Sequence, residues 1–268
     1  MKLKIKTAFI TGAANGIGKS IAQKLYDNGY NIVVADIQEQ TLREVYAKIF
    51  EERILILPMD ITQSSEWEMG IAKTIEKFNK IDILLNIAGI IEPGYIYDTT
   101  IKSIDQQIDI NLKGTIYGAH FIAQKMMEQK SGHIINVSSM AGIAPIPGIN
   151  VYSATKFGIR GFSLAIAQEL KDYNIHVSLI CPDAVETQML DYQKDKKEAA
   201  MTFSGNRILS VDEVTSEILK LIDHPKVEVW IPRSRGVLAT VGTLFPGLAS
   251  KIKDQLIQKG LKKQEQYH

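Results

Sequence analysis

Along most of its length the chain alternates between short runs rich in Val, Ile and Leu and stretches whose apolar residues recur at helical spacing. Strand-like runs fall at 6–10, 31–35, 54–59, 81–86, 133–137 and 176–181, and helical patterns fall near 17–28, 38–51, 63–78, 104–129 and 153–172. Strands that alternate with helices predict βαβ units and a parallel sheet. Right-handed crossovers then put helices on both faces, so the expected fold class is α/β, a three-layer doubly wound parallel sheet. A further run at 227–231, closed by Pro232, predicts an edge strand and brings the expected number of strands to about seven. The chain of 268 residues has no internal repeat and no low-complexity linker, so a single domain over 1–268 is expected. Two parts stand outside the alternation. A charged stretch at about 188–207, containing Gly205, reads as a mobile lid, and 234–268 reads as a C-terminal extension.

The first strand runs into Thr11-Gly-Ala-Ala-Asn-Gly-Ile-Gly18, and a helix follows. A turn from the carboxyl end of a strand into a helix points backbone N–H groups at an anion. Glycine lets a pyrophosphate approach the backbone there. The spacing of Gly12, Gly16 and Gly18 is G-x-x-x-G-x-G, so neither the usual G-x-G-x-x-G fingerprint nor a Walker loop is present. A purely structural glycine turn is the alternative. Asp36 ends the second strand about 20 residues on, where an acidic side chain bonds a ribose 2′-OH and repels a 2′-phosphate. Ile37 and Gln38 follow it, and Ala13, Ala14 and Asn15 in the turn carry no positive charge. NAD is therefore favoured over NADP, with Lys19 as the residue that softens the preference. The fifth strand ends at Ser138-Ser139, and Tyr152-Ser-Ala-Thr-Lys156 follows. Tyr and Lys at i and i+4 share one helix face. A phenol near its ordinary pKa of about 10 must fall by roughly three units to act as a base near neutral pH. An ammonium or a positive nicotinamide ring supplies the right sign. An isolated Tyr-x-x-x-Lys is more often a surface helix pair, so its weight comes from the company it keeps.

Together these residues identify the chain as resembling the short-chain dehydrogenase/reductase family, in its single-domain branch, over about residues 5–190. The resemblance rests on the glycine turn, on Asn86-Ile-Ala-Gly89, and on Asn111, Ser139, Tyr152 and Lys156, in the family's order. It implies a seven-stranded Rossmann sheet and a nicotinamide cofactor. It implies that Tyr152 transfers a proton, that Ser139 holds the reacting oxygen, and that Lys156 binds the nicotinamide ribose and lowers the Tyr152 pKa. Asn111 would fix a water in a relay through Lys156. The cofactor would be held by Gly12, Asn15, Gly16, Ile17, Gly18, Asp36, Ile37, Asp60, Ile61, Asn86, Ala88, Gly89, Tyr152, Lys156, Pro182, Val185 and Thr187. Two positions depart from the family pattern. Ile87 replaces the second Asn of Asn-Asn-Ala-Gly and is expected to pack inward. Asp183 replaces the Gly of Pro-Gly, which puts the geometry of that loop and the polarity of the substrate in question, since Asp lacks glycine's freedom at positive φ.

The charge balance, 31 basic against 30 acidic residues, gives no global grip on nucleic acid. The lone Cys181 reads as a buried small hydrophobe, and no disulfide scaffold is expected. The five histidines have no ligand spacing, so metal catalysis is not expected. No leader or membrane span is read, and the expected location is cytoplasmic. The tail is apolar at 236–249 and lysine-rich at 251–265. Packing on the cleft or on another subunit, with the lysines as a solvated face, is favoured over contact with a membrane surface, because Pro246 and the glycines interrupt any long amphipathic helix. Met189, Leu190, Tyr192, Met201, Phe203 and Ile208 near the lid suggest an apolar substrate body, with plain packing as the equal alternative. The expected activity is interconversion of a secondary alcohol and a ketone on a small molecule, by a homodimer or homotetramer. An NADPH-dependent carbonyl reductase and a nucleotide-binding sensor with little activity are the alternatives.

Overall fold

The computed structural model describes residues 5–267, so residues 1–4 and 268 of the expected span lie outside the described residues. In chain order, β1 is Thr7–Thr11, α1 Gly16–Asp27, β2 Asn31–Asp36, α2 Glu39–Val45, β3 Ile54–Pro58, α3 Ser64–Phe78 and β4 Ile83–Asn86. Next come α4 (Ile101–Gln107), α5 (Gly114–Gln129), β5 (Gly132–Val137), α6 (Asn150–Glu169) and β6 (Ile175–Pro182). The chain ends with α7 (Gln188–Asp191), α8 (Val211–Asp223), β7 (Glu228–Ile231), α9 (Arg233–Leu244) and α10 (Pro246–Gln264). Among the described residues the sheet has 7 strands in the order β3-β2-β1-β4-β5-β6-β7, and every pairing is parallel. The expected doubly wound sheet and its edge strand are both present.

Alternate residues of each strand enter opposite layers, because side chains leave a strand with a period of two. Ala8, Ile10, Ile32, Val34, Leu85 and Ile135 pack beneath α1 and α8. Phe9, Val33, Ala35, Leu84 and Ile134 pack beneath α3 and α5, around a fully buried Trp67. Both faces are covered, which is why the strands read as continuous apolar runs rather than as alternating ones. The order of the strands reverses between β1 and β4. A doubly wound sheet opens its ligand crevice at that point, at the carboxyl ends of the strands.

The helix α8 was not among the helices expected from periodicity. Its start carries a capping box: the Glu213 N–H donates to Ser210 Oγ at 3.1 Å, and the Ser210 N–H donates to Glu213 Oε2 at 2.9 Å. The pattern expected over 38–51 gives a shorter helix that stops at Val45. The next residue, Tyr46, turns its phenol to donate to the Ala13 carbonyl at 2.8 Å. The pattern over 104–129 starts earlier, at Ile101, and is interrupted by a π-helical turn over Ile108–Lys113.

Pro246 does end the α9 segment, but it also opens α10, of 19 residues, in whose first turn a missing N–H costs nothing. The lid is packed under this helix. Gln264 Nε2 donates to the Gln193 and Lys196 carbonyls at 3.1 and 3.0 Å, and Lys259 Nζ donates to Asn206 Oδ1 at 3.1 Å. Lys263 donates to the Gly205 carbonyl. The tail lysines are thus only partly a solvated face: Lys259 and Lys263 fasten the lid. The α9 helix lays Gly236 against Trp230 and bonds Thr243 Oγ1 to the Ile143 carbonyl at 2.7 Å, while Val237, Leu238, Val241, Leu244 and Phe245 stay exposed. Among the described residues, no helix is long and apolar enough to cross a membrane.

Candidate active site

At the carboxyl end of β5 the backbone turns through Ser139, whose Oγ accepts the Ala141 N–H at 3.1 Å and so starts a short turn over Met140–Gly142. Across from it, the first turns of α6 carry Tyr152 and Lys156, both buried. The helix can lie this close because Gly142 has no Cβ: one built there would fall 2.6 Å from the Lys156 carbonyl oxygen. Lys156 Nζ donates to the Val137 carbonyl at 2.9 Å and stands 5.4 Å from the centroid of the Tyr152 ring. Asn111 lies on the π-helical turn, fully buried. Its Oδ1 accepts the Ile90 N–H at 2.8 Å, and its Nδ2 donates to the Ile90 carbonyl at 2.9 Å and to Thr155 Oγ1 at 3.2 Å. Its side chain therefore braces the loop after β4 against α6. The bulged turn brings it there, and such turns often mark functional sites.

Burial moves the two titratable groups in opposite directions, because it disfavours whichever form is charged. The Tyr152 phenol is pushed up to about 12, with the Ser139 hydroxyl pulling it partly back. The Lys156 amine is pulled down to about 8. The fall expected for Tyr152 is thus not reached with the described residues alone, where loss of water outweighs the other influences on the phenol.

A pocket of ≈ 310 Å³ opens at the glycine turn. Gly12, Asn15, Gly16, Ile17, Gly18, Asp36, Ile37, Asp60, Ile61, Ala88, Gly89 and Thr187 line it. Gly12 holds φ +68°, and a Cβ there would lie 2.8 Å from the Ala88 backbone. Asn15 caps α1 without a side-chain hydrogen bond, and the first turn of that helix holds no acid. Its free N–H groups suit the pyrophosphate of a dinucleotide. Asp36 is held in place by the Ala14 and Gln38 N–H groups, at 3.1 and 3.0 Å. The residues fit a dinucleotide. Asn86 is placed elsewhere. It is buried and donates to Asn136 Oδ1 at 2.9 Å and to the Thr115 carbonyl at 3.3 Å, tying β4 to β5 and α5 away from both pocket walls. Met59, Ile90, Ile110 and Gln188 also line the pocket, and no local pattern in the sequence pointed to them.

The pocket at Tyr152 has a volume of ≈ 130 Å³ and shares Ile17, Ile87, Gly89, Thr187 and Met189 with the glycine-turn pocket. Ile87 packs against the core, as expected, and faces both pockets. Ser139, Tyr152, Lys156, Pro182, Val185 and Thr187 line the wall of the smaller one. Of the apolar lid residues, Met189, Leu190 and Met201 line it. Phe203 is buried. Tyr192 is exposed and bonds to Glu92, and Lys196 Nζ lies 4.0 Å from its ring centroid. The question about Asp183 is resolved without strain. The residues at positive φ other than glycine are, among the described residues, Asn79, Lys130 and Asn174. The Asp183 N–H donates to the Ile231 carbonyl at 2.8 Å, and its carboxylate receives Arg235 Nε at 2.9 Å.

A parallel seven-stranded sheet with this glycine turn and this Tyr–Lys pair defines a nucleotide-dependent oxidoreductase class. The short chain dehydrogenase family model matches residues 6–198, and the chain belongs to that family. An uncharacterized oxidoreductase of Staphylococcus saprophyticus is 33% identical over 196 residues, which is 72% of this chain and 80% of the relative. A short-chain dehydrogenase/reductase from Burkholderia phymatum, solved in complex with NAD, superposes with a TM-score of 0.81 at 21% identity, covering 93% of this chain and 96% of that one. ElxO with NADP bound superposes with a TM-score of 0.74 at 24% identity, covering 84% and 97%.

Proposed function

We propose that this protein is an oxidoreductase that interconverts a secondary alcohol and a ketone with a nicotinamide cofactor, NAD(H) in preference to NADP(H). The observation that carries this reading is the shared wall of the two pockets, which sets Tyr152 and Ser139 beside a cradle suited to a dinucleotide. When bound, the cofactor supplies the hydride acceptor or donor and, in its oxidised form, a positive charge. Gly12, Gly16 and Gly18 would admit the pyrophosphate, Asp36 would take the ribose 2′-OH, and Asp60 and Ile61 would flank the base. Lys156 would hold the nicotinamide ribose, and Val185 and Thr187 would hold the amide.

Ser139 orients the substrate oxygen and Tyr152 gives or takes its proton. With the phenol pushed up to about 12 by burial, Tyr152 is protonated and ready as an acid for ketone reduction. Working as a base for alcohol oxidation, it relies on added positive charge to bring that value down. The Asp36 carboxylate supports NAD, although the structural relatives include one with NAD and one with NADP. The apolar wall of Ile91, Met140, Ile149, Met189 and Leu190 supports a substrate with a hydrocarbon body. Chain 1–268 is read as one domain, working as a homodimer or homotetramer in the cytoplasm.

The test is turnover of NAD with a panel of secondary alcohols, run beside Tyr152→Phe. The substitution should lower kcat by about 10²–10⁴-fold. Equal turnover in the two proteins would remove Tyr152 from its role.

A further inference from the structure

Beyond the reaction itself, the pocket carries a polar feature that the family pattern does not contain. Asp183 stands where the family has glycine, and Arg235 lies in α9, past residue 198, where the family match ends. The two are 52 positions apart, and they meet as an ion pair on the wall of the pocket that also holds Ser139 and Tyr152. The pair is largely shielded: the side chains are 10% exposed for Asp183 and 25% for Arg235.

Apart from Ser139, Tyr152 and Lys156, polar side chains of that wall are already engaged. Gln193 Oε1 accepts the Thr202 hydroxyl at 3.0 Å, and its Nε2 donates to the Met189 carbonyl at 2.9 Å. The Thr187 hydroxyl donates to the Val185 carbonyl at 3.2 Å. Arg235 is different. Its Nε is taken by Asp183, and the described residues offer its terminal nitrogens no hydrogen-bond partner. A guanidinium carries five N–H donors, so most of those on Arg235 are left for solvent or a ligand at the pocket wall.

We propose that Arg235 is a specificity-determining residue, which receives a second oxygen of the substrate at the pocket wall. We further propose that Asp183 fixes that oxygen as a neutral one: a keto, ester or amide carbonyl. The charge balance decides the second point. Asp183 already cancels the guanidinium, so a carboxylate at that part of the wall would meet no net positive charge and would share the pocket with a phenol whose ionisation it opposes. A neutral acceptor satisfies the donors without that cost. The substrate class is then an alcohol or ketone with an apolar body and a second uncharged carbonyl. This deepens the hydride-transfer reading and rests on it for the word substrate, but the binding claim is testable alone.

The experiment compares three kinds of ligand of one hydrocarbon skeleton: the monoketone, diones that differ in the position of the second oxygen, and the oxo acid. Each is measured by kcat/KM and by calorimetric Kd on the full chain, for wild type, Arg235→Met and Asp183→Asn. Wild type should favour the best dione over the monoketone by about 10–100-fold, the range of a hydrogen bond to a charged group. Arg235→Met should bring that ratio to about one. Asp183→Asn keeps the shape but leaves the guanidinium uncompensated, and should shift the preference to the oxo acid by about tenfold or more. A merely structural ion pair would lower all three ligands together. That result, a wild-type preference for the oxo acid, or equal binding of dione and monoketone would overturn the proposal. If the calorimetric preference appears with no turnover in any protein, the hydride-transfer reading fails while the Arg235 subsite stands.

Discussion

Tyr152 and Lys156 sit one helical turn apart, and one cause, loss of water, drives their pKa values in opposite directions, to about 12 and about 8. For Lys156 this has a consequence for stability. Its folded pKa lies below the unfolded value, so the unfolded chain binds more protons between about pH 8 and 10, and stability rises with pH through that window. The buried amine therefore destabilises the protein most below pH 8. Comparing wild type with Lys156→Met isolates this contribution. In urea denaturation of the protein without cofactor, the stability gap between the two should narrow by about 2 kcal/mol in favour of wild type from pH 7.5 to 9.5. A constant gap would place the amine in water. Asp36 belongs to the same scale. Its carboxylate is held by two backbone N–H groups rather than by a cation. Asp36→Ala should lower the NAD over NADP ratio of kcat/KM by about tenfold, the worth of a hydrogen bond to a charged acceptor. Competition between the two cofactors at fixed substrate measures it.

At the level of elements, the site is built by close approaches that only certain residues allow. On α5, a Cβ on Gly118 would fall 2.6 Å from Trp67 and from Asn86 Oδ1. That is why this helix can settle on β4, with the π-helical turn just before it holding Asn111 at the loop after that strand. Helix α8 shows a different kind of information. Ser210 and Glu213 announce its start as a reciprocal cap, and its inner face of Val214, Ile218 and Leu221 packs on the sheet beside α1. Ser210→Ala should cost about 1 kcal/mol of stability, read as a fall in the denaturation midpoint at unchanged m-value. No change would mean that the box contributes nothing beyond the helix's packing.

Over the whole molecule, the C-terminal extension is the part that reaches furthest, fastening the lid through α10 and lining the pocket through Arg235. Gly260 lets α10 lie directly on the Ala200 carbonyl. Gly260→Val should lift the helix from the lid and speed proteolysis between residues 188 and 207 by about tenfold, while protease sites in the core keep their rates. Uniform acceleration would mean global destabilisation instead. Much of this architecture was legible in the residues. The strands announce themselves as β-branched runs because both faces of a parallel sheet are covered. The glycine turn and the Tyr-x-x-x-Lys pair are legible because each acts within one turn of backbone, where spacing fixes geometry. Other features were not. Asn86 stands in a recognisable motif, yet the fold buries it between β4, β5 and α5, away from the pockets. The upward pull on Tyr152 depends on how much water the surrounding helices exclude. The Asp183–Arg235 pair joins residues 52 positions apart. Local spacing carries the information for what one strand or one helical turn does; burial and long-range pairing exist only once the chain has closed around them, because solvent exclusion and charge compensation are properties of the packed molecule.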